Sequence, residues 1–301
     1  MSDLKELIKT EALRSGFAHC GFTRNDTLEH LRPFYSGFIR RNGHVTLKYL
    51  ESNIEKRLNP GLVLEGTKSV IALLMNYYPP EIIPQEDNFI IAKYAYGMDY
   101  HLVMRSKINE LTGFIKNSRS DIQAKGFVDS GLVLEKTWAQ QCGLGWQGKN
   151  TLIINKSEGS FFFIGIILTD ADIEPDTPET DHCGSCSNCI EACPTGALST
   201  PYQLDIGRCI SYQTIENRED IPEELKSKLS NRIYGCDICQ DVCPYNRFAS
   251  LHQFTEFLPS EQLKKLRKKD WVAMTEPDFN RIFVDSPVKR VGFHRLKRGF
   301  L

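Results

Sequence analysis

The stretch CGSCSNCIEACP, residues 183–194, constrains this chain more than any other. Cys183, Cys186, Cys189 and Cys193 follow C-x2-C-x2-C-x3-C-P, the spacing that holds iron–sulfur clusters in pairs. Three closely spaced thiols wrap one cubane while backbone amides donate to its sulfurs. The fourth cysteine, followed by Pro194, points to the neighbouring cluster. A later run, CDICQDVCP, supplies Cys236, Cys239 and Cys243 ahead of Pro244. It lacks a first cysteine, and Cys209 is the obvious substitute. Crossed ligation then places Cys183, Cys186, Cys189 and Cys243 on one [4Fe–4S] cluster, and Cys193, Cys209, Cys236 and Cys239 on the other. Two structural zinc sites built from C-x2-C pairs are the alternative, but the four-cysteine run is too specific for them. Cys20 and Cys142, the remaining two of ten cysteines, are expected to be small buried packing residues.

Two clusters pass electrons one at a time, and 182 residues stand in front of Cys183, the first cysteine of the cluster motif. An electron carrier does not need them, so an acceptor is expected there. The chain's 301 residues are enough for about two domains with real cores. MSDLKELIKTEALRSGF is amphipathic, with Leu4, Leu7, Ile8 and Leu13 at helical spacing, and has no secretory signal pattern. The longest apolar run, FFFIGIIL (161–168), is far short of the roughly 18 residues of a membrane helix. These features predict a cytoplasmic protein with no membrane partner, in which clustered thiols serve metals rather than disulfides. Net charge is −1, yet residues 251–301 carry 11 Lys and Arg against 6 Asp and Glu. The positive charge crowds into KKLRKK (264–269) and KRVGFHRLKR (289–298). A solvated helical face explains this, and so does a surface for nucleic-acid phosphates.

Residues 1–175 read as an α/β domain. HCGFT is strand-like, and KSVIALLMNYY (68–78) is a buried strand that stops at Pro79-Pro80. Leu102, Ile108, Leu111 and Ile115 mark one face of a helix over 101–116. TLIIN (151–155) and SFFFIGIILT (160–169) predict two further strands joined by the KSEG turn. Interleaved helices and strands argue for α/β over an all-helical fold. DADIEPDTPETD (170–181) looks like a linker. The predicted cluster domain spans 176–250, and a basic helical segment spans 251–301.

CGLGWQGKN (142–150) matches G-x-G-x-x-G and approaches a P-loop, but both motifs need a strand before and a helix after. Here a helical stretch precedes and a strand follows, so a glycine-rich loop approached closely by a flat cofactor fits better. In GFVDSG (126–131), Asp129 is placed either to cap the following helix or, with a raised pKa, to donate a proton. The seven histidines show no metal-ligand spacing, and D-x-H-x-x-G is absent.

Taken together, EKRLNP (55–60), YAYGMDYH (94–101), FVDSG, AQQCGLGWQGKN, CGSCSNCIEACPTGAL, RCISYQTIE (208–216) and RIYGCDICQDVCPYN (232–246) resemble the epoxyqueuosine reductase family. The resemblance implies a nitroreductase-like α/β domain holding base-off cobalamin, followed by a ferredoxin-like domain with two [4Fe–4S] clusters. It implies two-electron reduction of epoxyqueuosine to queuosine in a tRNA anticodon loop. It gives Asp129 the role of proton donor and places Arg57, Asp129, Lys149, Asn150, Ile153 and Ser211 near the cobalamin. It turns the basic tail, Lys289, Arg290, Arg295, Lys297 and Arg298, into a tRNA contact. A flavodoxin or ferredoxin is implied as electron donor, and the chain is expected to act as a monomer. The longer members of the family continue into a helical-repeat extension that this sequence lacks. Two rivals are a reductive dehalogenase-like enzyme, which usually carries a twin-arginine signal absent from MSDLKELIK, and a non-catalytic ferredoxin-like carrier.

Overall fold

The computed structural model describes residues 2–43, 45–119, 121–129 and 132–299. Among them the strands are β1 (His19–Arg24), β2 (Ser69–Asn76), β3 (Ile90–Ile91), β4 (Ala124–Phe127), β5 (Trp146–Gln147), β6 (Ile153–Ile154), β7 (Phe162–Thr169) and β8 (Arg232–Tyr234). A four-stranded antiparallel sheet runs in the order β1-β2-β7-β4. Its central strands are apolar at nearly every position because both of their faces are covered. Ile71, Leu73, Met75 and Ile167 face the helices Ser2–Arg14 and Tyr100–Ser118. Val70, Ala72, Leu74, Ile166 and Leu168 face Trp138 and Ala139 on the helix Glu135–Gln141. The result is a three-layer α/β/α arrangement, the fold class the interleaved pattern predicts.

The helix Tyr100–Ser118 starts where Asp99 caps it, its carboxylate accepting from the His101 amide at 3.0 Å. Its buried face carries Val103, Met104, Ile108, Leu111 and Ile115. Leu102, expected on that face, is 52% exposed. TLIIN also departs from expectation. Only Ile153–Ile154 is strand, and it pairs with Trp146–Gln147 rather than joining the main sheet. Across the KSEG turn there is only one bridge, Asn155 to Gly159.

Residues 170–181 form no loose linker. Asp176 and Phe22 exchange backbone and side-chain hydrogen bonds of 2.8 and 2.9 Å, and Lys5 closes on the same carboxylate at 2.6 Å. Ile173 is buried. The acidic strap thereby covers β1, an edge strand whose free amides and carbonyls would otherwise face water.

Each cysteine run ends in a short helical turn, Asn188–Glu191 and Ile238–Asp241, and the two turns pack together. The basic C-terminal residues build a second core. Leu263, Trp271, Phe279, Phe283, Val288 and Leu296 pack against Ile83, Ile91, Tyr96, Ile233 and Tyr234. Parallel pairing of β3 with β8 joins this layer to the cysteine-rich region. Among the described residues no helix is long and apolar enough to cross a membrane.

Candidate active site and cluster sites

All ten cysteines are free, and Cys20 and Cys142 are buried as expected of packing residues. The other eight fall into two rings. Cys183, Cys186, Cys189 and Cys243 line one cavity of about 300 Å³. Burial pushes the Cys189 thiol up, and the neighbouring Cys183, Cys243 and Cys186 add to it. In the second ring burial raises Cys236 to about 11, and Cys209 reinforces it. Cys239 feels Cys236 and Cys209, and Cys209 feels Cys193. Cys243 thus lies with the first cysteine run and Cys193 acts on Cys209 of the second set. The rings come together where Cys189 acts on Cys239.

Among the described residues no three His, Cys, Asp or Glu side chains close on a point that one metal ion could hold. Backbone amides reach the sulfurs: Tyr212 and Ser211 to Cys209, Ile238 to Cys236, Tyr245 and Asn246 to Cys243.

The second ring adjoins a cleft of about 420 Å³, with Cys209 and Ser211 in its wall beside Asp129, Tyr100 and Arg290. Tyr77, Tyr94, Phe163 and Tyr234 give this cleft an aromatic lining. Another cleft, of about 490 Å³, is lined by Arg57, Glu135 and Tyr202, and shares Leu204 with the first. The two together offer broad, largely apolar walls in which charged side chains are set, as a large cofactor with polar substituents requires. Arg57 is buried, and donates to the carbonyls of Tyr49 at 3.1 Å and Ser52 at 3.3 Å.

Asp129 stands beyond the end of β4 with φ 43°, in the left-handed region, a conformation that asparagine and aspartate tolerate best among residues with a side chain. It caps no helix. The next helix starts at Glu135 with Leu134 as its cap residue, and the Ser130-Gly131 part of the motif lies outside the described residues. Nor is its pKa raised. Burial alone would raise it, but hydrogen bonds from His101 and Tyr100, then the charges of His101 and Arg290, hold it below the usual carboxylate value. Its side chain is 56% open to the cleft, so the burial is that of a cleft wall and not of a sealed core.

The proton is held beside it. His101 Nδ1 lies 2.8 Å from Asp99 and Nε2 lies 3.7 Å from Asp129. The Asp129 carboxylate close by and the hydrogen bond to Asp99 outweigh partial burial and raise His101 to about 9. The Tyr100 hydroxyl donates to the same Asp129 oxygen. The Asp129 amide donates to Glu135 at 2.5 Å, and burial, then the Asp129 charge, raises Glu135 to about 8. Reading the sequence missed Asp99, Tyr100, His101 and Glu135. The signal was present in D-Y-H, where an acid two residues before a histidine starts a helix.

The other residues expected near the cofactor make contacts within the protein. The Lys149 ammonium donates to the carbonyls of Gly184 at 2.6 Å and Cys186 at 2.9 Å, and the Asn150 amide to that of Cys239 at 3.2 Å. Both line the cavity of the first ring. Ile153 is buried among Val70, Leu74 and Trp138. The glycines of this loop make room for the chain itself. A Cβ on Gly143 would meet the Thr177 carbonyl at 2.5 Å, and one on Gly145 the Ile154 carbonyl at 2.3 Å.

Of the basic residues in the tail, Lys289 and Arg290 are exposed. Arg290 pairs with Glu216 at the cleft. Arg295 donates to the Ile215 carbonyl, and Arg298 to those of Glu219 and Asn217. Lys297 reaches the Val272 carbonyl and lies over the Phe293 ring.

Known proteins resemble this chain over nearly its whole length. Residues 57–130 match the family model described as epoxyqueuosine reductase QueG, DUF1730, and residues 182–246 match that of a 4Fe-4S double cluster binding domain. An epoxyqueuosine reductase of Cellulophaga algicola is 44% identical over 97% of this chain and 95% of its own length. That of Escherichia coli K12 is 36% identical over 99% of this chain and 80% of its own length. A crystal structure of an epoxyqueuosine reductase with an epoxyqueuosine-modified tRNA-Tyr stem loop superposes with a TM-score of 0.89. It is 34% identical and is matched over 99% of this chain and 80% of that one.

Proposed function

This chain belongs to the epoxyqueuosine reductase family, and on that premise we propose how its own residues carry out the reduction of epoxyqueuosine to queuosine in tRNA. It is an oxidoreductase of tRNA modification with a double [4Fe–4S] domain. The reaction opens the epoxide and removes its oxygen as water, forming a carbon–carbon double bond, and it consumes two electrons and two protons. Cobalamin, when bound, would supply reducing electrons at the substrate. Arg57, Ser211 and Asp129 are the side chains in the two clefts that would hold it. The single observation that carries the reading is Asp129, bound by Tyr100 and His101, in a cleft whose wall includes Cys209 of the inner cysteine ring.

In the open cleft the proton resides on His101 and Asp129 is a carboxylate. Filling the cleft with cofactor and substrate expels water, which disfavours the ion pair and favours the neutral pair. The proton then moves from His101 Nε2 to Asp129, which presents it to the epoxide oxygen. Asp99 holds the imidazole by Nδ1 throughout. Glu135, protonated beside the Asp129 amide, is a second source close by.

The exposed Lys289 and Arg290 are placed to take anticodon-loop phosphates at the cleft mouth, while Arg295, Lys297 and Arg298 anchor the segment that presents them. The target nucleoside enters as an unstacked base. The finer assignments belong to the same proposal: a nitroreductase-like N-terminal domain, a cytoplasmic monomer, and a flavodoxin or ferredoxin as donor. The antiparallel sheet covered on both faces supports the first of these. Asp129→Ala tests the site: it is expected to bind both cofactors and lose turnover. Full activity in that variant would remove Asp129 from the reaction.

A further inference from the structure

The loop CGLGWQGKN approximates a nucleotide-binding motif, yet it binds no nucleotide in this reading, and of its residues Gln147 alone lines one of the two clefts. What it touches is the cluster region. The Trp146 side chain is fully buried, and its indole N–H donates to Cys183 Sγ at 3.4 Å. The rings of His182 and Tyr245 meet it edge-on at 4.9 and 4.8 Å and fix its plane. Three residues on, Lys149 spans the same cysteine loop through the carbonyls of Gly184 and Cys186. We propose that the Trp146 N–H and the Lys149 ammonium raise the reduction potential of the cluster held by Cys183, Cys186, Cys189 and Cys243, making it the one that accepts electrons from the donor.

The physical argument concerns charge. Reduction adds one electron, supplied by a low-potential one-electron donor protein, to a cluster already surrounded by four thiolates. Hydrogen bonds to the sulfurs and nearby positive charge stabilise the more negative state. The indole itself is buried, and the bond it makes is part-buried, so its effect is screened less than that of a surface group. Asp181 opposes the pair, since its carboxylate accepts from the Cys183 amide at 2.7 Å, and Lys149 is the cation that offsets it. The position of the ring fits an entry point. Its cavity is rimmed by exposed Arg247 and Phe248, whereas Cys209 of the other ring faces the substrate cleft. Asn150, bonded to the Cys239 carbonyl, ties the same loop to that second ring.

The proposal rests on the ring assignment above and is independent of the substrate. Its test is an anaerobic redox titration of the reconstituted protein followed by electron paramagnetic resonance. Trp146→Phe keeps the ring and deletes the N–H. Lys149→Gln deletes the charge, and Lys149→Arg keeps it. One of the two midpoints is expected to fall in both Trp146→Phe and Lys149→Gln while the other holds, and Lys149→Arg should retain the parent value. Unmoved midpoints in proteins with full iron content would overturn the proposal, as would different midpoints moving in the two variants. Should Trp146→Phe lose iron, Lys149→Gln against Lys149→Arg decides alone, and equal midpoints there refute it. A parent protein that takes up no iron would strike the ring assignment itself.

Discussion

Replacing Asp99 by asparagine should move the alkaline limit of turnover to lower pH. His101 is held at about 9 by Asp129 and Asp99, against an ordinary value of about 6.5. Two carboxylates share that rise of roughly two and a half units, one 2.8 Å from Nδ1 and the other 3.7 Å from Nε2. Asparagine keeps a side-chain oxygen for the His101 amide, so the helix Tyr100–Ser118 keeps its cap. What is lost is one negative charge, which should bring His101 down by about one unit, or about 1.4 kcal/mol. The working form carries its proton on His101. Activity is therefore complete below the pKa and lost as pH rises through it, and the variant should lose it earlier. Single-turnover rates with prereduced enzyme and a modified stem loop, taken from neutral to alkaline pH, measure this directly. An alkaline limb that stays in place would refute the idea that His101 holds the transferable proton.

Three more outcomes follow from the geometry. Cys243→Ala should damage the cluster that shares its cavity with Cys183, Cys186 and Cys189, leaving the other intact. Iron analysis and paramagnetic resonance would read this, and an unaltered spectrum would overturn the crossed ligation. Neutralising Lys289 and Arg290 together should weaken tRNA binding and flatten its salt dependence by up to about two phosphate contacts. Equal slopes of affinity against salt for parent and variant would make those residues an ordinary solvated face. Trp138→Ala, in the core beneath the clefts, should cost about 3–5 kcal/mol, and a denaturation midpoint unchanged from the parent would contradict the packing described.

The double-cluster domain was legible because its chemistry depends on local cysteine spacing, and a cubane leaves the same imprint wherever it occurs. The two central strands were legible for a related reason: KSVIALLMNYY and SFFFIGIILT are apolar throughout, as strands covered on both faces must be. TLIIN misled because its apolar residues pack beneath the sheet instead of extending it. The strap at 170–181 reads as a linker until Lys5, far away in sequence, is brought to Asp176. Asp129 stood out as a residue, but its protonation did not. That depends on His101 and Asp99, which the cap of another helix brings to it, and no local pattern around GFVDSG encodes them. Lys149 is a different case: the family resemblance alone singled it out, and the hold of its ammonium on the Gly184 and Cys186 carbonyls has no local sequence signal.

The most direct test of the whole account is product analysis after anaerobic turnover. Protein reconstituted with iron, sulfide and cobalamin is given a strong reductant and tRNA bearing epoxyqueuosine, and the released nucleosides are weighed by mass spectrometry. The account predicts loss of one oxygen from the modified nucleoside, dependent on cobalamin. An unchanged nucleoside mass from enzyme shown to hold both clusters and cobalamin would contradict it.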